Sequence, residues 1–552
     1  MIRSIAGSIA RPLAVAITGA SGGAAPDTYA ANGFDPDYVA DFSAASADYF
    51  RVAGVDSDFD TAFTSDSEGA GLATMVDSSG NLVWRAHNLL TYSEQFDNAA
   101  WQKLSAGTGS APVVTANAGT APDGTSTADR VQIDRGAGTA TTDYSLVTQN
   151  ATIAEGRTWA VWLKSNTGVS QTVNVYNGSF NDQVNATVTT SWQLFSVESG
   201  ASFKGAQVAF GSRGGSYGGD ETIDILVWGG HYYRSDLGGM ADVPADQRAA
   251  STLTKYVPTT TAARYLLRRR HHYWTGSAWA PTLLHEPVAA TNLLLNTNTL
   301  STQDVTVTAE AHTLHFTGTG TVTLTGASTA GPLVGTGTGE NNRVSLTFTP
   351  SAGTLTCTVS GTVTNAQLET GSVPSSYIPS GSAQATRAAD TVKIKAAAFP
   401  ANSTAVSYAL NARISYVDSN SGVEGRVFER KVDGNNNVRC YIGTSGGSTG
   451  RFAFQQETGG TTDSVFAGLE QTPGVARPCS FAARSTSGAV QCALNGSAGS
   501  EDSTPTALAD LSAADLELFP SGGSGERPFG MWESIRGWDA DIAEAGIEEA
   551  TA

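Results

Sequence analysis

Charge is scarce in this chain. Asp, Glu, Lys and Arg make up 15% of it, against about 25% in ordinary soluble domains. What charge there is leans acidic, 51 Asp and Glu against 32 Lys and Arg, for a formal net of −19. A nucleic-acid partner is disfavoured, because phosphate binding needs a basic surface. Cysteine is nearly missing: Cys357, Cys440, Cys479 and Cys492 are the four in 552 residues. They form no CxxC pair and no metal-ligand spacing, so a disulfide scaffold is excluded, and they read as buried free thiols, with one or two disulfides as the alternative. No stretch of 18 apolar residues exists, so no membrane insertion by a helix is expected. HExxH and P-loop motifs are missing. No local pair of carboxylates suggests glycoside cleavage. The chain reads as a binding protein, not an enzyme.

What is present is glycine, 61 residues of it, amid much Thr, Ser and Ala. Glycine costs about 1 kcal/mol at a helix interior position, so long helices are not expected. Cores are affordable, because 40% of residues are hydrophobic, with 10 Trp, 16 Tyr and 20 Phe. Alternating segments are frequent: Val173-Asn174-Val175-Tyr176, Trp192 to Val197, Thr321 to Thr325, Val344 to Phe348 and Leu355 to Val359. Thr158 to Lys164 and Ile223 to Trp228 read as more fully buried strands. Period-2 segments separated by turn residues predict antiparallel β-sandwiches.

The first 25 residues differ from the rest. Ile2, Ile5, Ile9, Leu13 and Ile17 would form one apolar stripe on a helix, and no acid occurs before Asp27. Arg11 and Pro12 interrupt the apolar run, which is too short for a signal peptide. A short helix or extended peptide docked on a partner is the expectation.

An internal repeat is the most specific signal. Asn88-Leu89-Leu90 opens one segment and Asn292-Leu293-Leu294 another. Tyr256-Val257-Pro258 followed by Arg264 closes the first, and Tyr377-Ile378-Pro379 followed by Arg387 closes the second. The second copy is a trimmed version of the first. The opening Asn88 to Trp101, the run Ala121 to Asp129, and Gln367 to Pro379 with Thr386-Arg387-Ala388-Ala389-Asp390 resemble jelly-roll modules of phage structural proteins, which look like carbohydrate-binding modules. The first copy departs at its end, where Gly230-His231-Tyr232 stands in place of Gln-Leu-Glu.

At the C-terminus, Val406 to Ile414, Val438 to Ile442 and Ala489 to Leu494 read as strands, and Asn495-Gly496 as a type I′ hairpin turn. A late strand, Phe529 to Trp538, precedes a short acidic helix within 541–550. This pattern resembles a laminin-G or concanavalin-type lectin domain.

The expected architecture is all-β: an N-terminal anchor peptide (1–32), a small adaptor (33–87), jelly roll 1 (88–264), a linker (265–291), jelly roll 2 (292–390) and a lectin-like sandwich (391–552). The resemblance implies a fibre or spike of a bacteriophage virion. It would be held to capsid or tail proteins through Ile2, Ile5, Ile9, Leu13 and Ile17, would bind host surface polysaccharide, and would act as a homo-oligomer or multi-copy array. A head decoration protein or a secreted bacterial lectin are the alternatives. Trp159, Trp162, Trp192 and Trp228 lie in strand patterns and are expected in cores, whereas Tyr176, Tyr217 and Tyr232 lie near loops or strand ends and are the candidate sugar platforms. Glu94 and Asp224 are candidates for the structural calcium that such modules often hold. His312 and His315 alone make a weak metal signal. Arg268-Arg269-Arg270 is expected in a solvated linker, with a grip on an acidic glycan or a partner subunit as the alternative.

Overall fold

The computed structural model describes residues 29–44, 47–64, 68–151, 156–178, 182–199, 207–402, 404–416, 424–444, 449–520 and 528–552. Ile2, Ile5, Ile9, Leu13 and Ile17 lie outside these. The fold is all-β, and among the described residues every strand pairing is antiparallel apart from one isolated bridge.

Residues 102–234 build two five-stranded sheets that face each other. Alternate residues point inward, so Val173 and Val175, Val208 and Phe210, and Ile223, Ile225 and Val227 fill one core around Trp101 and Trp159. Residues 303–370 build a smaller pair, of four and three strands, around Leu314, Phe316, Leu324 and Leu368.

The repeat reappears as one set of hydrogen bonds made twice. The Asn88 amide donates to the carbonyls of Gly230 and Val257, and its oxygen accepts from the N–H groups of Leu90 and Tyr232. Asn292 does the same with Ala366, Ile378, Leu294 and Leu368. Ser93 and Thr297 each meet a tyrosine hydroxyl at 2.9 Å, from Tyr256 and Tyr377. These bonds align His231-Tyr232-Tyr233 with Gln367-Leu368-Glu369, one residue beyond the alignment read from sequence. The match survives the departure because the residue before each triplet, Gly230 or Ala366, supplies a carbonyl and its second residue, Tyr232 or Leu368, an N–H, and both are backbone groups. Asn292 is fully buried. Asn292→Asp keeps the acceptor but sets a second acceptor against two carbonyls, and an unmatched buried polar group costs about 1–3 kcal/mol. A loss of about 2 kcal/mol or more is expected in chemical denaturation.

The remaining strands change the expected partition. Tyr38–Asp41 lies beside Ser534 to Gly537 and carries Tyr49–Val52 and Val55–Ser57 outward from it. The hairpin Arg268–Trp274 and Trp279–His285 docks on the other half of the same edge, with Leu283 opposite Trp532. Together with Ala405–Ser415, Arg477–Thr486, Val490–Leu494 and Ser497–Ala498 they form one ten-stranded sheet. A six-stranded sheet containing Gly425–Asp433, Asn436–Ile442 and Arg451–Thr458 covers it. Residues 33–87 are therefore not a separate adaptor, nor is 265–291 a linker. Strands from both, within 38–57 and 268–285, complete the C-terminal sandwich. Phe42, Phe50, Phe59 and Phe63 are too few to enclose a core of their own, and they bury themselves against the C-terminal core. Asn495 and Gly496 have φ of +49° and +77°, as the hairpin reading requires. The helix is Ala543–Glu549 and packs Ile547 against Trp538 on the outer face of the large sheet. All four cysteines are buried free thiols.

The two smaller sandwiches are thus insertions into a base, each entered and left through a two-stranded neck. His87–Asn88 pairs with Arg264–Tyr265 in one, and Ala290–Asn292 with Ala385–Arg387 in the other. Five charged side chains join the necks underneath. Asp390 accepts from Arg85 at 2.9 Å and from Arg268. Glu286 meets Arg268 at 2.5 Å and Arg387 at 3.2 Å, and accepts from the backbone N–H and the hydroxyl of Ser376 at 2.7 Å each. None of the five exposes more than 3% of its side chain. Arg269 is equally buried, between Asp48 and Asp246. The expected solvated basic run is therefore part of a buried ionic joint, because the two strands of the second neck bring Glu286 and Asp390 to it.

Candidate functional site

Two of the three candidate tyrosines meet on the outer face of one sheet of the larger insertion. In the strand Gln171–Asn177, Val173 and Val175 point into the core, so Asn174 and Tyr176 point away from it. Ala209 and Leu146, from neighbouring strands, lie on the same outer face and pack with Tyr176. Tyr217 closes the short helical turn Gly215–Tyr217 and meets Tyr176 edge-on, with ring centroids 6.2 Å apart. The turn is pinned by Asn174, whose amide donates to the Tyr217 carbonyl and the Asn185 side chain, and whose oxygen accepts from Arg213 N–H. The Arg213 guanidinium lies 5.1 Å from the centre of the Tyr217 ring and 5.4 Å from that of Tyr144.

The result is an apolar floor of Leu146, Ala209 and Tyr176 with a half-buried rim of Tyr144, Arg213 and Tyr217. Burial raises the Tyr176 hydroxyl pKa well above the usual value, so the ring is a neutral apolar surface. Tyr144 and Arg213 were not singled out from sequence. The alternation of Tyr144 with Leu146 was a usable signal; the cation between two rings was not, because it requires strands 69 residues apart to pair.

Tyr232 is placed elsewhere and corrects the expectation. It is 1% exposed within the core, and burial pushes its hydroxyl up to about 12. The strand Thr222–Arg234 continues through the sandwich at this point. The tryptophans fall as expected: Trp159 and Trp228 are fully buried, and Trp162 and Trp192 pack against a satellite core.

Glu94 and Asp224 do not come together. Glu94 accepts from the Tyr256 hydroxyl at 2.9 Å, a role that Asn298 fills for Tyr377 in the second copy. A neutral amide serves there equally, so the position needs an acceptor, not a charge. Burial raises the Glu94 carboxyl pKa. Asp224 lines a groove of about 440 Å³, but both its oxygens face Arg130, and Asn166 donates to one of them. The Arg130 hydrogen bond lowers its pKa. That guanidinium occupies the place a cation would need. Among the described residues, no group of three or more His, Cys, Asp or Glu side chains is placed to hold a metal. His315 instead pairs with Glu369 at 3.2 Å.

No protein-family model matches the chain, and no curated protein matches it. Solved structures similar to part of it include a botulinum neurotoxin type C whose cell entry depends on interaction with two ganglioside molecules (12% identity, 29% of this chain and 39% of that one, TM-score 0.22). Another is domain 4 of AbnA, an extracellular arabinanase from Geobacillus stearothermophilus, in complex with arabinotriose (12% identity, 30% and 73%, TM-score 0.23). A third is the CBM40 of the Ruminococcus gnavus IT-sialidase, bound to α2,6 sialyllactose (13% identity, 27% and 84%, TM-score 0.22). This chain spans about two fifths of the neurotoxin chain.

Proposed function

We propose that the chain is a glycan-binding protein and that the outer face bearing Tyr144, Tyr176, Arg213 and Tyr217 is its sugar site. The observation that carries this reading is the convergence of three tyrosines and one arginine on an apolar floor. Aromatic rings supply flat apolar contact to a sugar, and a fixed cation supplies directed hydrogen bonds. Binding, not catalysis, suits a face with no carboxylate pair at its centre among the described residues.

The biological setting we propose is a fibre or spike on a phage particle, held through the apolar N-terminal stripe and present in many copies. The phage-like repeat signatures support it. Deletion of residues 1–28 is expected to abolish incorporation into particles while leaving the sugar site intact. Detection of the deleted chain on purified particles would remove the anchor role.

The sugar site itself is tested by calorimetry against host surface polysaccharide. Tyr217→Ala and Arg213→Ala are each expected to weaken binding by roughly tenfold, about 1.4 kcal/mol. Unchanged affinity in both variants would displace the site from this face.

A further inference from the structure

The groove of about 440 Å³ that Asp224 lines belongs to the sheet of the larger insertion that does not carry the tyrosines. Small-ligand sites occupy about 300–1,000 Å³. Three neighbouring strands make its floor, Ser110–Gly119, Ala128–Asp134 and Thr222–Arg234. Val131, Ile133, Ile223 and Ile225 point into the core, so Gln132, Asp134, Thr222 and Asp224 point out of it. Strand pairing sets the outward residues in two rows. Ser110, Asp134 and Thr222 form one, and Val113, Gln132 and Asp224 the next. Between the rows, Ala111 and Pro112 stand opposite the single residue Ile133. Such a bulge bends an edge strand and ends its regular pairing. Thr167 and Gln171, at the turn that crosses to the tyrosine-bearing sheet, close one side.

The polar groups of the groove differ in how far the protein uses them. Asp224 is taken, by Arg130 and Asn166. Asp134 accepts from the Gly136 N–H through Oδ1 at 2.7 Å, and its Oδ2 has no donor among the described residues. The Gln132 side chain is exposed and makes no hydrogen bond among the described residues. Gln171 is the unusual member, because it is 8% exposed. Its oxygen accepts from the Asp224 N–H at 3.2 Å and the Ser165 hydroxyl at 3.4 Å. Its Nε2 reaches only the Thr222 carbonyl, at 3.5 Å. A side-chain amide nitrogen carries two N–H groups, and ordinary N–H···O bonds span about 2.7–3.2 Å. A buried donor on the wall of the groove is therefore left with one long bond, an arrangement that costs free energy until a ligand supplies an acceptor.

Charge narrows the kind of ligand. The residues that line the groove include two carboxylates and no Lys, Arg or His. A carboxylate or phosphate on the ligand would meet repulsion from Asp134 and no cation to offset it. What the groove offers is an amide at Gln132 that both donates and accepts, a carboxylate oxygen at Asp134, a buried N–H at Gln171, and hydroxyls at Ser110 and Thr222. Val113, 58% exposed, adds an apolar wall. Donors and acceptors side by side over an apolar group suit the neighbouring hydroxyls of an uncharged sugar, because each hydroxyl also does both.

We propose that this groove is a second glycan site, which takes an uncharged sugar unit, bonds its neighbouring hydroxyls through Gln132, Asp134 and Gln171 Nε2, and lays its apolar face on Val113. It is independent of the tyrosine face, since the two sit on opposite sheets of one sandwich and face away from each other across its core.

The test is a saturation-transfer NMR titration of the full chain with cellotetraose, maltotetraose, mannotetraose and tetragalacturonate. It is made on Tyr217→Ala, in which the tyrosine face is disabled, as well as on the parent. At least one of the uncharged tetrasaccharides is expected to bind Tyr217→Ala, and tetragalacturonate to bind it at least about tenfold more weakly than that sugar. Adding Gln132→Ala or Val113→Glu to Tyr217→Ala should each weaken the sugar by roughly tenfold. Both positions are exposed, so thermal midpoints should stay unchanged. No binding of any uncharged tetrasaccharide to Tyr217→Ala, equal affinity for tetragalacturonate, or full affinity after both added substitutions would each overturn the proposal. Binding that is lost in Tyr217→Ala and kept in Gln132→Ala alone would assign the sugar to the tyrosine face instead, which separates failure of this site from failure of the other.

Discussion

Asp390→Ala is expected to destabilise the protein by about 3–5 kcal/mol, the cost of removing one partner from a buried ion pair. The substitution leaves the guanidiniums of Arg85 and Arg268 in a site where neither exposes more than 1% of its side chain. Glu286 cannot replace the lost charge for both, because it is already shared between Arg268 and Arg387. The damage should be local at first. Arg85 precedes the first neck, Arg268 follows it, and Asp390 follows the second. Both insertions should therefore loosen from the base before either sandwich melts. Limited proteolysis, read by mass spectrometry, should show new cuts near residues 85–88 and 264–268 in the variant, alongside a lower unfolding midpoint. Asp224→Ala removes a solvent-accessible pair with Arg130 and should leave the midpoint close to the parent's. Equal behaviour of the two variants would show that the buried joint does not hold the necks.

A steep loss of stability on mild acidification is the second large effect. Four buried histidines are held neutral in the fold. Burial pushes His87 and His271 down to about 3, and His231 and His285 down to about 4, from an ordinary value of 6.5. Hydrogen bonds show why three of these rings resist a proton. His87 Nε2 accepts from the Arg234 N–H, His271 Nδ1 accepts from the Val76 N–H, and His285 Nδ1 accepts from Trp532 Nε1–H. A proton on any of these nitrogens would set donor against donor. Because the folded values lie below the unfolded one, the unfolded chain binds protons that the folded chain refuses. The stability so contributed is complete above about pH 6.5 and is lost as pH falls toward 4, at about 1.4 kcal/mol per histidine per pH unit.

The carboxylates of the joint act later. Burial raises Glu286, but Arg268, Arg387 and the Ser376 hydrogen bonds outweigh it and bring the group down to about 2. Its contribution is present above the ordinary glutamate value of 4.5 and fades as pH falls from there toward 2. Histidine protonation should therefore dominate the first limb. Calorimetric unfolding near pH 5, in buffers of different ionisation enthalpy, should show uptake of about four protons attributable to these rings. A midpoint that stays flat between about pH 7 and pH 5 would contradict this.

The necks also explain which parts of the architecture could be read from the chain. Asn88 and Asn292, with Tyr256 and Tyr377, announce the repeat because each asparagine satisfies four backbone groups, and no other side chain offers two donors and an acceptor in that shape. Alternation in the strands is equally local, since successive side chains of a strand face opposite sides. Tyr176 and Tyr217 stand out in the sequence by their positions near loops and strand ends, and the fold brings their rings together. Tyr232 was misplaced because sequence does not show that Thr222–Arg234 runs unbroken through the sandwich.

By itself, the sequence determined the all-β class, the two copies of the repeat, the hairpin at Asn495-Gly496, the terminal helix and the poverty of local catalytic motifs. Each depends on neighbouring residues, on a period of two, or on a side chain whose bonding capacity suits one arrangement. Tertiary structure alone decided that 38–57 and 268–285 belong to the C-terminal sandwich, that three consecutive arginines pair with buried carboxylates, and that Arg213 lies between Tyr144 and Tyr217. Those outcomes rest on strand pairings between residues up to about 500 positions apart. Burial and ion pairing are fixed by what packs from elsewhere, and the character of Arg268 changes from solvated to buried only once Asp390 and Glu286 arrive beside it.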